Sequence, residues 1–338
     1  MKKFFVLLLV VCSAIQALAI NEAQVLADYD SVILPFFANG EASSFSAFDH
    51  RRINTYHFSH RTTVRKGVVV FSAGQSEPAK KYAELYYDLT GLGYDLYVID
   101  VRGQGASERL IKDPAVGYVN KFDDYVSDLA QYINEKIPKS EGELLLLAHS
   151  MGAGIATYVL AKHPEVAARV KKAIFSSPMY KINTHPYTES EAEIIANTMD
   201  AVGKGADYAP GKQGCNLPTD FATNGVTSSL ERFKGLQKLY SEEPEIFISG
   251  PSSHFVHEVV EATELTPQLL PQFKTPVLMF VAGKDQVVIP QTETDICAKL
   301  GIAICREVYV PTSQHEFFSE VDAVRSPAIQ ALDDFFSK

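Results

Sequence analysis

The five residues Ala148-His149-Ser150-Met151-Gly152 constrain this chain more than any other stretch. A dense apolar run, Leu144 to Leu147, leads into them, and a helix-like stretch, Ala153 to Leu160, leads out. The layout is strand, tight turn, helix, with a serine at the apex. A turn of this kind lifts a serine hydroxyl above the edge of a sheet. Gly152 is expected to be needed because a side chain there would collide with the returning helix. Ala148 stands where a first glycine is usual and is still small enough to fit beside that helix.

An acid and a histidine follow in matching contexts. Pro276 to Val281 reads as a buried strand, and Asp285 lies on the loop that leaves it. A helix-like stretch, 291–300, and a further strand, Arg306 to Val310, come next, and His315 lies on the loop after that strand. The chain order Ser150, Asp285, His315 is the order an α/β-hydrolase fold uses, with each residue at a strand's carboxyl end. Serine needs a base to become a nucleophile, which His315 supplies, and Asp285 fixes the imidazole tautomer. A tetrahedral oxyanion needs preplaced donors. The backbone N–H of Met151 is one. The N–H of Gln75, on the loop 72–77 after the strand Gly67 to Phe71, is the expected second. His149 reads as packed beside the turn, and His257 lies on a helix-like stretch. His50, His57, His60, His163, His185 and His254 have no partner that the sequence identifies.

The remaining pattern supports one α/β domain. Residues 22–37 read as helix and Arg52 to Phe58 as an early antiparallel strand at an edge. From Gly67 onward strands and helices alternate: helix 80–90, strand 94–100, helix 122–137, strand 143–147, the serine turn and its helix, and strand 172–176. Alternation of this kind implies a mostly parallel central sheet with helices on both faces. The rhythm breaks over 181–272, a stretch that holds Pro186, Pro210, Pro218, Pro244 and Pro251 and helix-like pieces at 228–240 and 254–262. This is an inserted cap, which places the core at 20–180 and 273–338. A cap over the serine would exclude water and shape the acyl site.

Residues 1–19 read as a secretory signal peptide: Lys2-Lys3, a short apolar core from Phe4 to Val11, and Ala17-Leu18-Ala19 at the cleavage site. Export would make the protein periplasmic or secreted. The bulky Val11 before Cys12 argues against a lipidated start. The net charge of −10 disfavours nucleic acid as a partner. Of Cys215, Cys297 and Cys305, the last two can close a short disulfide loop in an oxidising compartment, or all three can stay reduced. No Cys/His spacing resembles a metal site, and nothing calls for a cofactor.

Longer stretches carry a family resemblance. Residues 74–85 (Gly74-Gln75-Ser76-Glu77 and the helix after it), Asp100-Val101-Arg102-Gly103-Gln104-Gly105-Ala106-Ser107, residues 117–126, residues 147–152, and in the cap 240–244 and 250–256 are together similar to the bacterial lysophospholipases of the monoacylglycerol lipase-like α/β-hydrolase group. The resemblance spans about 65–336. It implies a lysophospholipid or other single-chain lipid ester as substrate, cleaved through an acyl-enzyme, with transient contact with membranes or micelles. Alternatives of the same chemistry are a monoacylglycerol lipase, a general carboxylesterase, or acyl transfer to an acceptor other than water. A catalytically inactive binding protein of this fold is the alternative of another class.

Overall fold

The computed structural model describes residues 20–216 and 219–338; the expected signal peptide lies outside the described residues. Eight strands form one sheet: β1 (Glu41–Ser46), β2 (Arg52–Phe58), β3 (Gly67–Ser72), β4 (Tyr94–Ile99), β5 (Leu144–His149), β6 (Val170–Ser176), β7 (Val277–Ala282) and β8 (Cys305–Val310). Their order is β1-β2-β4-β3-β5-β6-β7-β8. Only the β1–β2 and β2–β4 pairings are antiparallel; the rest are parallel.

The apolar runs split by pleat. Val68, Val70, Leu144, Leu146, Met279 and Val281 face one core layer. Val69, Phe71, Leu145, Leu147, Leu278 and Phe280 face the other. A parallel strand covered on both faces needs no polar alternation, which is why these strands read as unbroken hydrophobic segments. Helices α1 (Ala83–Leu92), α2 (Phe122–Gln131) and α3 (Met151–Lys162) are the first crossovers. Tyr125, Leu129, Ile155 and Val159 of α2 and α3 close the first layer. Leu85, Tyr86 and Leu89 of α1 close the second, with Val25, Ile33 and Phe37 from the N-terminal helical stretch. At roughly 1.5–3 kcal/mol per buried aliphatic or aromatic side chain, these two layers dominate the favourable term in folding.

β2 is not an edge strand. β1 pairs outside it in antiparallel register, Glu41 against His57 through Ser46 against Arg52. β1 escapes the sequence pattern because only Phe45 of its six residues is buried.

Between β6 and β7 the chain leaves the sheet and builds α4 (Glu189–Ala201), α5 (Leu230–Glu242) and α6 (Ser253–Leu269). α6 runs seven residues past Ala262, through Pro267, because Thr263 and Thr266 remain buried on its inner face. A short parallel ribbon, Val116–Gly117 with Gly250–Pro251, ties this segment to the core. After β7 come α7 (Pro290–Leu300), β8 and α8 (Asp322–Ser337). A disulfide joins Cys297 on α7 to Cys305 at the start of β8, with Cα atoms 5.3 Å apart, and leaves Cys215 as an exposed free thiol. No helix among the described residues is long and apolar enough to cross a membrane.

Candidate active site

Ser150 sits at the break between β5 and α3 with φ 52° and ψ −121°, a left-handed conformation unusual for a residue with a side chain. The turn is held from both sides: the Ser150 N–H donates to the Ser176 carbonyl at 2.9 Å, and the Met179 N–H donates to the Ser150 carbonyl at 3.0 Å. Gly152 is required for a different reason from the one expected. A Cβ there would lie 2.3 Å from the Ser72 carbonyl oxygen and 2.5 Å from that of Ala73, so the obstacle is the carboxyl end of β3 rather than the returning helix. The same close approach places the loop 73–76 against the serine: a Cβ on Gly74 would fall 2.8 Å from Ser150 Cβ.

His315 bridges the other two residues. Its Nε2 lies 3.0 Å from Ser150 Oγ and its Nδ1 lies 2.6 Å from Asp285 Oδ2. All three leave carboxyl ends of strands, β5, β7 and β8, so one edge of the sheet gathers them. The second oxygen of Asp285 accepts from the N–H groups of Val287 and Val288, at 2.7 and 3.0 Å, which holds the carboxylate toward the histidine. The His315 carbonyl accepts from Ser177 Oγ at 2.8 Å. Such an array can pass a proton from a serine hydroxyl to an imidazole whose tautomer is already set.

The N–H groups of Met151 and Gln75 have no acceptor among the described residues, whereas those on either side of Gln75 do. Two unpaired donors flanking one serine suit a developing oxyanion.

Behind the serine lies a cluster that sequence reading did not assemble. Lys81 Nζ sits 2.6 Å from Glu77 Oε1 and 2.5 Å from Glu316 Oε1, all three side chains buried. His149 packs against them, its Nε2 3.6 Å from Glu77 and 3.5 Å from Glu316, and its ring centroid 4.7 Å from that of His315. Burial alone would raise the Glu316 carboxyl, but the Lys81 and His149 charges hold it well below the usual carboxylate range. Burial and then the charge of Glu316 push the Glu77 carboxyl up. Burial would lower His149, yet the two carboxylates raise it. Lys81 thus serves as the internal cation of this group. The available signals were the four-residue spacing of Glu77 and Lys81 and the position of Glu316 directly after His315.

A cavity of about 560 Å³ opens above Ser150, within the range of about 300–1,000 Å³ usual for small-molecule sites. The helices of the roof give it an apolar stretch, Ala192, Ile195 and Ala196 of α4, Leu236 of α5 and Val259 of α6, beside polar lining from Asn183, Asn216 and Asn224.

The family described as serine aminopeptidase, S33, matches residues 63–322 of this chain. The chain belongs to that family. Lysophospholipase L2 of Escherichia coli strain K12 is 33% identical over 310 residues, which cover 90% of this chain and 89% of that protein. A probable lysophospholipase L2 of Haemophilus influenzae is 31% identical over 308 residues, 90% of this chain and 95% of its relative. Among solved structures, a soluble variant of monoglyceride lipase from Saccharomyces cerevisiae, in complex with a substrate analog, superposes with a TM-score of 0.71. It is 19% identical, and the match covers 88% of this chain and 94% of that one. At that identity the likeness speaks for the fold: a mostly parallel α/β-hydrolase sheet with helices on both faces.

Proposed function

We propose that the chain is a lysophospholipase-type serine hydrolase that removes the acyl group of single-chain lipid esters. One observation carries the chemistry: His315 spans 3.0 Å to Ser150 and 2.6 Å to Asp285 at the floor of a cavity roofed in part by apolar side chains. In this reading Ser150 Oγ attacks the ester carbonyl as His315 Nε2 takes its proton. The N–H groups of Gln75 and Met151 receive the oxyanion. His315 then returns the proton to the departing alcohol, and water repeats the cycle on the acyl-enzyme. The lysophospholipase names of the two bacterial relatives support this substrate class over a short ester. The apolar roof supports a single acyl chain, because a second chain would need further enclosed room.

A panel of lysophosphatidylcholine, lysophosphatidylethanolamine, monoacylglycerol, diacyl phospholipid, a nitrophenyl ester and an aminoacyl nitroanilide tests the reading. Single-chain lipids should turn over well and diacyl phospholipid poorly. Equal or faster cleavage of the diacyl lipid would replace this reading with a broader phospholipase, and cleavage of the anilide alone would replace it with a peptidase. We also propose that residues 1–19 are removed on export, leaving a protein that meets lipid at membranes or micelles outside the cytoplasm. Intact mass of the exported protein checks this, and a chain beginning at a lipidated Cys12 would refute it.

A further inference from the structure

We propose that Gln104 is a positioning residue of the reaction, acting as a two-pronged clamp that sets the direction of the Gln75 N–H. The inference rests on the serine-hydrolase reading above and extends it to a residue outside the triad and the oxyanion donors.

Gln104 is buried on the loop that follows β4. Its side-chain Nε2 donates to the Gly74 carbonyl at 2.6 Å, and its Oε1 accepts from the Ser76 N–H at 2.9 Å. The amide orientation is fixed by chemistry, since a carbonyl can only accept and an N–H can only donate. The Gly74 carbonyl and the Gln75 N–H belong to one peptide unit, which is planar and trans. Fixing that carbonyl therefore fixes the opposite direction of the Gln75 N–H. The Ser76 N–H belongs to the next peptide unit, so Gln104 grips both planes that meet at Gln75. Glu77 Oε2 accepts the Gly74 N–H at 2.5 Å. The backbone donors on either side are thus engaged, and the Gln75 N–H is left free beside Ser150 among the described residues.

The clamp is itself anchored. The Asp100 carboxylate accepts from the N–H groups of Ala79 at 2.7 Å and Ala106 at 2.9 Å, which ties the far end of the Gln75 loop to the loop carrying Gln104. Gly105 has φ 56°, and a Cβ there would sit 2.1 Å from Asp100 Oδ1, so only glycine lets the turn close this tightly. The Gln104 N–H donates to Val101 at 3.1 Å, and the Ser107 N–H donates to the Gln104 carbonyl at 3.0 Å. A donor oriented before the reaction costs no reorganisation when the oxyanion forms. Loss of the clamp leaves the donor in place but lets its peptide rotate.

The test compares wild type with Gln104→Glu and Gln104→Leu on a short nitrophenyl ester, and measures inhibition by an alkyl trifluoromethyl ketone, which forms an oxyanion with the serine. Losing an oxyanion donor outright costs about 100- to 1,000-fold in kcat, so losing its orientation should cost about 10- to 100-fold, with KM within about twofold. Affinity for the ketone should fall in parallel with kcat/KM. The Gln104→Glu variant adds a pH signature. Its carboxylate can accept from Ser76 but repels the Gly74 carbonyl, whereas its protonated carboxyl can meet both. Its activity relative to wild type should therefore rise as pH falls. A purely structural role would lower the melting temperature without this pH-dependent recovery. If Gln104→Leu does not fold, the shape-preserving Gln104→Glu carries the test alone. Unchanged kcat in Gln104→Glu, or a loss that neither follows ketone affinity nor recovers at low pH, overturns the proposal. Because the nitrophenyl ester has no lipid headgroup, failure on lysophospholipids would count against the substrate reading and leave this result standing. Activity in Ser150→Ala would count against the serine reading itself.

Discussion

The floor and the roof of the cavity are built in different ways. The floor is set by backbone: Ser150, Asp285, His315, Met151 and Gln75 leave the ends of β3, β5 and β7, each hydrogen-bonded to parallel neighbours, and of β8, the parallel edge strand paired to β7. The roof is side chain. α5 is fastened by Arg232, whose guanidinium reaches Glu84 at 2.9 Å and Asp322 at 2.8 Å. The start of α6 is fastened by His254, 2.8 Å from Asp200 of α4 and 3.0 Å from the Asn120 carbonyl. Asn216 Nδ2 reaches down to Ser76 Oγ at 2.6 Å. A backbone ladder resists local opening more than side-chain ties do, although α6 also buries Phe255, Val259 and Ala262 in the core. The reacting groups therefore depend on the sheet, and the shape of the cavity above them on the side-chain contacts of α4, α5 and α6.

The largest effects should come from the floor. Ser150→Ala should leave below about a hundredth of the wild-type rate on every ester, with the melting curve preserved; a larger residue of activity would place the nucleophile elsewhere. Asp285→Asn should cost about 10,000-fold in kcat through the wrong imidazole tautomer. Asp295→Asn is the control, because that carboxylate is exposed on α7 and accepts only from Gln291, at 2.9 Å. A loss at Asp295 with none at Asp285 would reverse the assignment.

Floor and roof also differ in how far the sequence discloses them. Strands buried on both faces, such as Leu144–His149 and Val277–Ala282, announce themselves as apolar runs, and the residues leaving their carboxyl ends can be read off directly. β1 cannot be read this way, since Glu41, Ala42, Ser43 and Ser44 lie exposed against β2 and bury nothing. α6 looked short because Glu261, Glu264 and Pro267 interrupt its apolar pattern while Val259, Ala262 and Thr266 keep it packed. The buried polar groups are the hardest to foresee. Gln104, Glu77, Lys81 and Glu316 have the composition of a solvated surface, and only the meeting of loops from β3, β4 and β8 takes them out of water. Gly152 shows the converse case, a residue whose importance was legible while the atoms that impose it, the Ser72 and Ala73 carbonyls, were not.

Arg232 tests whether the roof is separable. Its side chain is 3% exposed and its partners only partly so. Arg232→Met leaves Glu84 with only Arg325, 3.4 Å away, as a cation, and should cost about 3 kcal/mol, the low end for breaking a buried pair because that second guanidinium remains and Asp322 is partly in water. The melting temperature should drop by several degrees while kcat on a short ester stays within about twofold. An equal collapse of kcat would mean that floor and roof act as one body.

Acyl-chain length gives a finer measure of the roof. Each methylene buried under α4 and α6 is worth roughly 0.8 kcal/mol, about fourfold in kcat/KM, until the cavity is full. Ala196→Phe would fill the roof from α4, since Ala196 lines the cavity. It should move the preferred chain to a shorter length and leave short esters nearly unaffected. A chain-length profile that does not shift would remove α4 from the acyl path.

The smallest expected effect is a pH-dependent tightening of the roof through His254. Burial alone would depress this imidazole, but the Asn120 carbonyl and the Asp200 and Glu258 carboxylates more than offset it, so its pKa in the folded protein is raised. Tyr118 stacks on the ring at 5.2 Å, and His257 lies 6.2 Å away, too far to reverse the balance set by the carboxylates. A group whose folded pKa is raised binds its proton more tightly when folded, and so adds stability that is complete below its unfolded value of about 6.5 and fades as pH climbs through the raised value. Wild type and His254→Gln should therefore differ most in melting temperature at acidic pH and converge at alkaline pH. The same variant should lose its grip on long acyl chains at acidic pH before it loses turnover of short esters, because Asp200 anchors the end of α4 while the triad hangs from the sheet. A melting difference that is flat with pH, or that grows toward alkaline pH, would show that the charge on His254 does not hold the roof.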